Sequence, residues 1–253
     1  MGDEPRTTTP RQLYEKYASA VAYVAVERSD GVQSVGSAFH VGGGVFLTAR
    51  HVVENRRIVE IATTTMRYIP DPSSNVRHER EGPVRQVWPG VARLRSGPHF
   101  HPDAAVDVAA IVVEGIDPAV IPLGTHLDDW IEDEGFVLGE VLTMGYPPIP
   151  LSRRPVLLAS RGEINAVVDS YVGRHPHFVL SSMARGGFSG GPCLTQWDYA
   201  LGLTTSSLVH GDHPEQLGYM AVISVEPLRV CLEHHGILPV EQRKALSDDG
   251  SGR

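Results

Sequence analysis

The chain of 253 residues is long enough to bury a substantial core, either as one large β domain or as two smaller ones. Its 42% hydrophobic and 21% charged residues are typical of a folded globular protein and exclude a disordered or fibrous chain. A formal net charge of −8 without a long run of lysine or arginine argues against a nucleic-acid partner.

Short runs rich in Val, Ile, Thr and Tyr follow one another between turn residues. In chain order they predict strands at VAYVAVE, SVGSAFHV, GVFLTA, IVEIAT, VDVAAIVV, GEVLTMGY, PVLLASRGEINAVV, FVLSS, ALGLTTSS and YMAVISV. Two segments have helical character, one near Arg11 to Ala20 and one at VEPLRVCLEHHG with Gly236 as its C-cap. This pattern indicates an all-β barrel or sandwich with few helices.

Residues 65–105 show little periodicity and carry many Pro, Ser, Arg and His residues. We expect a long surface insertion there, with one short strand around Val84 to Trp88. The acidic stretch LGTHLDDWIEDEG lies near the midpoint of the chain, where a connection between two β halves would belong.

The most specific motif is ARGGFSGGPCL, residues 184–194, which places Ser189 among glycines between apolar strands. Glycines permit tight turns and positive φ. A nucleophilic serine needs an exposed hydroxyl beside backbone N–H groups that can bind an oxyanion, and Gly187 and Ser189 would supply those groups. A glycine-rich turn with an incidental serine is the structural alternative.

Two further side chains are candidates for acid–base chemistry. His51 follows the apolar strand in VFLTARHVVEN, where its imidazole could act as a general base. Asp107 begins the apolar run VDVAAIVV, and a buried carboxylate at such a position needs a hydrogen-bond donor such as an imidazole N–H. Asp103 is the rival acid, and a strand-start turn residue is the alternative role for either.

In type and chain order, His51, Asp107 and Ser189 resemble the triad of the chymotrypsin family, most closely its bacterial, disulfide-poor HtrA-type branch. The resemblance implies two six-stranded antiparallel β-barrels with short N- and C-terminal helices. It also implies a division of the chain into an N-terminal extension (1–13), a peptidase domain (14–238) and a flexible tail (239–253). Within that domain we expect barrel 1 at about 20–120, barrel 2 at about 136–225 and the C-terminal helix at about 226–235.

The resemblance also implies roles for further residues. Met183, six residues before Ser189, would form the base of the specificity pocket and favour a small or medium apolar side chain before the scissile bond. Thr205 and Ser206 would make main-chain contacts to the peptide, and Gly218 would add to the pocket wall.

The sequence departs from the family pattern at two positions. Arg50 replaces a small residue before the histidine, and Phe188 replaces the aspartate that secreted members use for zymogen activation. Control of activity would then come from another route, such as a regulatory protein partner, loop ordering or oligomerisation.

The leading hypothesis is a serine endopeptidase that needs no cofactor and acts on polypeptides. The alternatives are a protease-like module that binds peptides or proteins without catalysis, and an esterase, which would normally show another triad order. His99, His101 and Asp103 could ligate a metal by residue type, but a surface loop is the favoured interpretation, and we predict no metal site.

Location is predicted from what the sequence lacks. No run of about 18 apolar residues occurs, and the N-terminus lacks the apolar core of a secretory signal, so we expect a soluble cytoplasmic protein without membrane contact. The two cysteines, Cys193 and Cys231, are expected to be reduced, buried thiols.

Overall fold

The structure is a computed structural model that describes residues 7–63, 68–70, 84–86, 91–124, 136–152, 154–169, 175–183, 186–205 and 219–243. Its helices are α1 (Pro10–Tyr17), α2 (Arg50–Val53) and α3 (Val225–His234), with a 3₁₀ turn at Ala18–Ala20 after α1. The strands of the N-terminal half are β1 (Val21–Glu27), β2 (Gln33–His40), β3 (Val45–Thr48), β4 (Arg57–Thr63), β5 (Tyr68–Pro70), β6 (Val84–Gln86), β7 (Val91–Phe100) and β8 (Ala109–Glu114). Those of the C-terminal half are β9 (Glu140–Gly145), β10 (Leu158–Asp169), β11 (Pro176–Met183), β12 (Pro192–Thr195), β13 (Ala200–Thr204) and β14 (Tyr219–Ser224).

Twelve of these strands form two closed antiparallel barrels. The first has the hydrogen-bonded order β1-β2-β3-β8-β7-β4, and the second has the order β10-β11-β14-β13-β12-β9. Strands β5 and β6 pair with each other as a separate hairpin. The predicted fold of two six-stranded antiparallel barrels with short terminal helices is confirmed.

A tyrosine pair joins the two barrels beside the site described below. Tyr146, which directly follows β9, is fully buried, and its hydroxyl donates to the carbonyl of Val21 on β1 at 3.2 Å. Its ring also meets that of Tyr23 edge-on, with centroids 5.5 Å apart. The start of the loop after β9 is therefore anchored to the first barrel.

The expected insertion over residues 65–105 contains the short strand predicted around Val84 to Trp88, which is β6 (Val84–Gln86), but strand β7 was not expected there. It pairs with both β4 and β8 and completes the first barrel. Its register against β8 shifts at Leu94/Ser96 and again at Ser96/His99. These irregularities, together with the Ser-Gly-Pro sequence in mid-strand, remove the alternation by which a strand is recognised.

The two predicted helices are present with small differences. Helix α1 begins after Thr9, which forms a capping box with Gln12, and the last predicted turn is the 3₁₀ segment. Helix α3 ends before Gly236, whose φ of +65° allows the predicted C-terminal turn. Within the described ranges no helix is long and apolar enough to span a membrane.

The segment after α3 differs from the flexible tail expected from residue 239. Gln242 is 1% exposed, and its side-chain oxygen accepts from the amide of Leu123 at 2.9 Å. Its amide nitrogen donates to the carbonyls of Val41 and Ile121 at 2.8 and 3.0 Å. Val41 directly follows β2, and Ile121 and Leu123 lie in the segment after β8, so these hydrogen bonds hold the C-terminal segment against the first barrel. Residues 244–253 lie outside the described ranges.

Candidate active site

His51 lies at the start of the short helix α2, immediately after β3. Strand β3 is fully buried between β2 and β8, and the next two residues, Val52 and Val53, are buried as well. These anchors fix the backbone on both sides of His51. Its side chain is 42% exposed, so the imidazole faces a solvent-accessible cavity.

Asp107 precedes β8 and receives three hydrogen bonds. Its Oδ1 accepts the backbone N–H of His51 at 2.9 Å, and its Oδ2 lies 2.7 Å from His51 Nδ1. The hydroxyl of Thr205 donates to Oδ2 at 2.6 Å. Because an ionised carboxylate only accepts hydrogen bonds, this arrangement places the ring proton on Nδ1 and leaves the Nε2 lone pair free.

The protonation of Asp107 reflects two opposing effects. Burial of the carboxylate raises its pKa, while the hydrogen bonds and charge of His51 and the hydrogen bond from Thr205 lower it by more. The net result is a pKa below the ordinary value for aspartate. Asp107 is therefore a carboxylate at neutral pH.

The rival acid, Asp103, is a turn residue. Its side chain accepts the amide of Ala105 at 2.9 Å, and its own amide donates to His101 Nδ1 at 3.1 Å. It is exposed, and among the described contacts it makes none with His51. Of the two acids, Asp107 is the one that the fold joins to the histidine.

Ser189 lies in a loop that two glycines shape. Gly187 and Gly190 adopt φ values of +96° and +88°. A Cβ at Gly190 would lie 2.0 Å from the carbonyl oxygen of Ser37, and one at Gly187 would lie 2.5 Å from that of Tyr146. At both positions a neighbouring main-chain segment lies so close that only glycine fits.

The same loop presents free backbone donors. Within the described residues, neither the amide of Gly187 nor that of Ser189 has a hydrogen-bond acceptor. Two amides of this kind beside a serine hydroxyl can stabilise a developing oxyanion. Phe188, which lies between them, is 3% exposed and packs into the hydrophobic core. An apolar side chain at this position is therefore stabilised by packing and needs no charged partner.

His51 and Ser189 line one cavity but are not hydrogen-bonded to each other. Among the described residues the Ser189 hydroxyl makes no hydrogen bond, although the backbone of Ser189 is fixed by the amide of Ser37 at 2.9 Å. Serine–histidine contacts in sites without substrate are often long and tighten on binding.

A brace under the Gly187 peptide was not predicted from the sequence. The hydroxyl of Ser37 donates to the Gly187 carbonyl at 2.6 Å and accepts the amide of Tyr146 at 2.9 Å. Ser37 is itself fully buried. The quoted strand Gly36-Ser37-Ala38-Phe39 contains this serine, but nothing in the sequence pairs it with a loop 150 residues away.

The remaining predicted site residues divide between described and undescribed positions. Thr205 donates its amide to Ala221 at 3.0 Å and its hydroxyl to Asp107, so its carbonyl is what remains for a substrate. Met183 pairs through its backbone with Tyr219, but its side chain is outside the described part of the structure, as are Ser206 and Gly218 altogether.

The side chain of Arg50 contacts Glu54 and Phe100. Its guanidinium pairs with Glu54 at 2.7 Å and lies 4.8 Å from the ring centre of Phe100. The side chain thus packs against an aromatic face and a carboxylate. Both contacts account for an arginine where the family has a small residue.

His177 on β11 is a buried histidine whose pKa responds to the charge of Asp107. Its ring lies against that of His175, with centroids 4.7 Å apart and an angle of 36° between the ring planes. Burial and the neighbouring imidazole lower the pKa of His177 to about 4, although a hydrogen bond with the backbone of His175 and the charge of Asp107 act in the other direction. His177 is therefore neutral at physiological pH.

The two predicted thiols, Cys193 and Cys231, are buried and unpaired. Burial raises the pKa of both, that of Cys231 to about 12. Neither is a reactive thiolate at neutral pH.

Solved structures with a similar fold include HtrA-type proteases. The HtrA-type protease AlgW with a tripeptide matches with a TM-score of 0.59 and 17% identity, covering 91% of this chain and 64% of that chain. The Rv3671c protease from M. tuberculosis in its active form matches with a TM-score of 0.62 and 14% identity, covering 92% and 91%. The serine endoprotease from Yersinia pestis matches with a TM-score of 0.57 and 21% identity, covering 91% and 67%.

At these identities the likeness concerns the fold, and the chain spans less than two thirds of the AlgW chain. A comparison with the curated proteins finds no match. The family model of the trypsin-like peptidase domain, however, matches residues 36–203, a range that includes His51, Asp107 and Ser189. The chain belongs to the trypsin-like peptidase domain family.

Proposed function

We propose that the protein is a serine endopeptidase that hydrolyses peptide bonds through an acyl-enzyme. The observation that carries the proposal is the pairing of His51 Nδ1 with Asp107 on the cavity that Ser189 also lines. This pairing leaves His51 Nε2 available as a base toward the cavity.

In the proposed reaction, His51 Nε2 takes the hydroxyl proton of Ser189 as the oxygen attacks the peptide carbonyl. The resulting oxyanion is held by the free amides of Gly187 and Ser189. The imidazolium then gives its proton to the leaving amine, and the C–N bond breaks. Water, deprotonated by the same imidazole, hydrolyses the ester and restores Ser189.

Asp107 acts throughout as a carboxylate. Its hydrogen bond to Nδ1 fixes the ring tautomer and stabilises the imidazolium that forms in both steps. Thr205 supports this role, because its hydroxyl holds Oδ2 at 2.6 Å. No cofactor enters the sequence of steps.

Substrate selection before the scissile bond is the finer part of the proposal. With Met183 at the base of the pocket and no acid there, we expect a small or medium apolar residue at that position. The carbonyl of Thr205, with Ser206 and Gly218, would contact the peptide as an added strand. A regulatory partner would control access or alignment.

One observation favours a second candidate, a peptide-binding module without catalysis. The Ser189 hydroxyl makes no hydrogen bond among the described residues, so the serine is not yet aligned with His51. A site that stays in this arrangement would bind a peptide edge without cleaving it.

The test combines labelling with a fluorophosphonate probe and turnover of a peptide library. We expect labelling and cleavage in the native protein, loss of both in Ser189→Ala, and retention of both in Ser160→Ala, a serine on β10 outside the cavity. Undiminished peptidase activity in Ser189→Ala would overturn the proposal. Peptide binding without labelling, whether or not candidate partners are added, would favour the second candidate.

A further inference from the structure

A cavity of about 720 Å³ opens beside Ser189 and His51. It extends from these residues between the first half of β2, the residues around α2, and the described residues 146–152, 154 and 155 of the loop after β9. Ligand pockets typically measure about 300–1,000 Å³. The cavity is therefore large enough for more than one side chain of an extended peptide.

The edge of β2 that faces the cavity offers main-chain hydrogen-bonding groups. The amide of Ser37 donates to the Ser189 carbonyl, and its carbonyl accepts from the hydroxyl of Thr48, so both main-chain groups point away from β1. Main-chain groups two residues apart on a strand point the same way. The N–H and C=O of Val35 therefore point toward the cavity, beyond the reach of β3, which pairs only with Ala38–His40.

The walls of the cavity are mainly apolar and conformationally restricted. The loop after β9 reads YPPIP, and its prolines have fixed φ angles. Ile149 in this loop lines the cavity and is 37% exposed, so it has contact area left for a ligand. Lining side chains with large apolar surfaces are Val35, Val52, Tyr146, Pro147, Pro148 and Ile149.

Arg56 places a positive charge on this apolar cavity, which Arg154, an exposed residue, also lines. Arg56 is half-buried, and its Nη1 donates to Ser34 Oγ at 3.2 Å, the one hydrogen bond that its side chain makes with a described residue. No described carboxylate pairs with it, although the chain as a whole carries a net charge of −8. Six other described arginines do pair with a carboxylate: Arg11, Arg28, Arg50, Arg57, Arg93 and Arg161.

Guanidinium groups match carboxylates through two parallel hydrogen bonds, and Arg56 has donors left for such a pair. Its partly buried position beside apolar walls reduces the screening by water. An anionic side chain on a bound peptide would therefore be favoured here over a neutral side chain of the same shape.

We propose that this cavity binds the residues that follow the scissile bond and selects one large apolar side chain and one Asp or Glu among the first three. The apolar residue packs against Ile149 and the proline loop, and the carboxylate pairs with Arg56. The inference rests on the proposed function, because it assigns the direction of the peptide from the attack by Ser189.

The test measures how the acyl group of the acyl-enzyme partitions between hydrolysis by water and transfer to the amino group of an added peptide. An N-acyl-alanine thiobenzyl ester acylates Ser189 and releases benzyl mercaptan, which leaves the cavity free. Ala-Leu-Glu-amide, Ala-Leu-Gln-amide or Ala-Ala-Glu-amide then competes with water for the acyl group. We expect the Glu peptide to capture the acyl group about 5- to 30-fold better than the Gln peptide, as for a partly buried ion pair. The Leu peptide should exceed its Ala counterpart about 5-fold or more.

Variants assign these preferences to residues. Arg56→Gln should remove the preference for Glu over Gln, Arg56→Lys should retain part of it, and Ile149→Ala should reduce the preference for Leu. Arg57→Gln is the matched control, because Arg57 pairs with Glu27 and lies outside the cavity. Equal capture of the Glu and Gln peptides by the native enzyme, or an unchanged ratio in Arg56→Gln with native circular dichroism, would overturn the proposal.

A second measurement separates this inference from the proposed function. Binding of the same three peptide amides to Ser189→Ala is followed by NMR titration, which requires no catalysis. If no acyl-enzyme forms but the Glu peptide binds better and depends on Arg56, the peptidase proposal fails and the assignment of the cavity stands. If an acyl-enzyme forms but neither assay distinguishes the peptides, the cavity assignment fails alone.

Discussion

Replacing Asp107 by Asn keeps the size of the side chain and removes its charge. Three donors surround the native carboxylate: the backbone N–H and the Nδ1–H of His51, and the hydroxyl of Thr205. An asparagine amide has one accepting oxygen and one donating nitrogen, so it can satisfy this arrangement in only one of its two orientations.

The backbone N–H of His51 decides between the two orientations. If the amide nitrogen faced that N–H, two donors would oppose each other, at a cost of about 1–3 kcal/mol. The amide oxygen therefore faces the backbone, and the nitrogen faces the imidazole. Nδ1 must then accept a hydrogen bond, so the ring proton moves to Nε2 and His51 can no longer take the proton of Ser189.

We expect kcat to fall by about 10⁴-fold with little change in KM, because a fall in kcat of this size is typical when asparagine replaces the aspartate of a catalytic triad. The assay is steady-state hydrolysis of a peptide or ester substrate, with ¹⁵N NMR of the His51 ring to read its tautomer. Asp103→Asn is the control and should stay within about twofold, because Asp103 is an exposed turn residue. A loss smaller than tenfold, or a proton retained on Nδ1, would refute the reasoning.

Three further predictions concern stability. Gly190→Ala should lower the free energy of unfolding, measured by urea denaturation, by at least about 3 kcal/mol, because the positive φ and the close backbone neighbours of Gly190 exclude a Cβ. Gly186 faces open space, so Gly186→Ala should lower the free energy of unfolding by less than about 1 kcal/mol. Gln242→Leu should cost about 3 kcal/mol, since it leaves three main-chain groups unpaired, and the exposed Arg243→Ala should be nearly neutral. His177, with a pKa lowered to about 4, should make the native protein lose about 2–3 kcal/mol as pH falls from about 6.5 to 4, a loss absent in His177→Phe.

The sign of the last prediction follows from proton binding. Between the two pKa values the unfolded chain binds a proton at His177 that the folded chain does not, so stability rises with pH across that interval. An identical pH dependence in His177→Phe would contradict it. Equal costs for Gly190→Ala and Gly186→Ala would contradict the steric argument, and a neutral Gln242→Leu would contradict the role of the buried amide.

The strands that were predictable from sequence are those whose local pattern matches their environment. Strand β1 was predicted with its bounds because VAYVAVE is a continuous apolar run buried between β2 and β4. Strand β7 was missed because its two register shifts break the pattern and a Ser-Gly-Pro turn signal lies within it. Periodicity detects regular pairing only.

The site was predictable where a motif carries the chemistry and not where tertiary contacts do. Ser189 and His51 stand in recognisable local sequences, and Asp107 at the head of an apolar strand is joined to His51 in the fold. The hydroxyl of Thr205 reaches Asp107 from 98 residues away, which no local pattern reports. Arg56 likewise looks identical to Arg57 in sequence, and only the fold gives one a carboxylate and leaves the other facing a cavity.

The central claim is that Ser189 is a nucleophile activated by the His51–Asp107 pair, and trapping the acyl-enzyme tests it most directly. The native protein is mixed with an activated acyl ester, quenched in acid within milliseconds, and analysed by intact mass and peptide mapping. The account predicts one acyl group per chain, located on Ser189, absent in Ser189→Ala and formed far more slowly in Asp107→Asn. An acyl group on another residue, or turnover without any acyl group on Ser189, would contradict it.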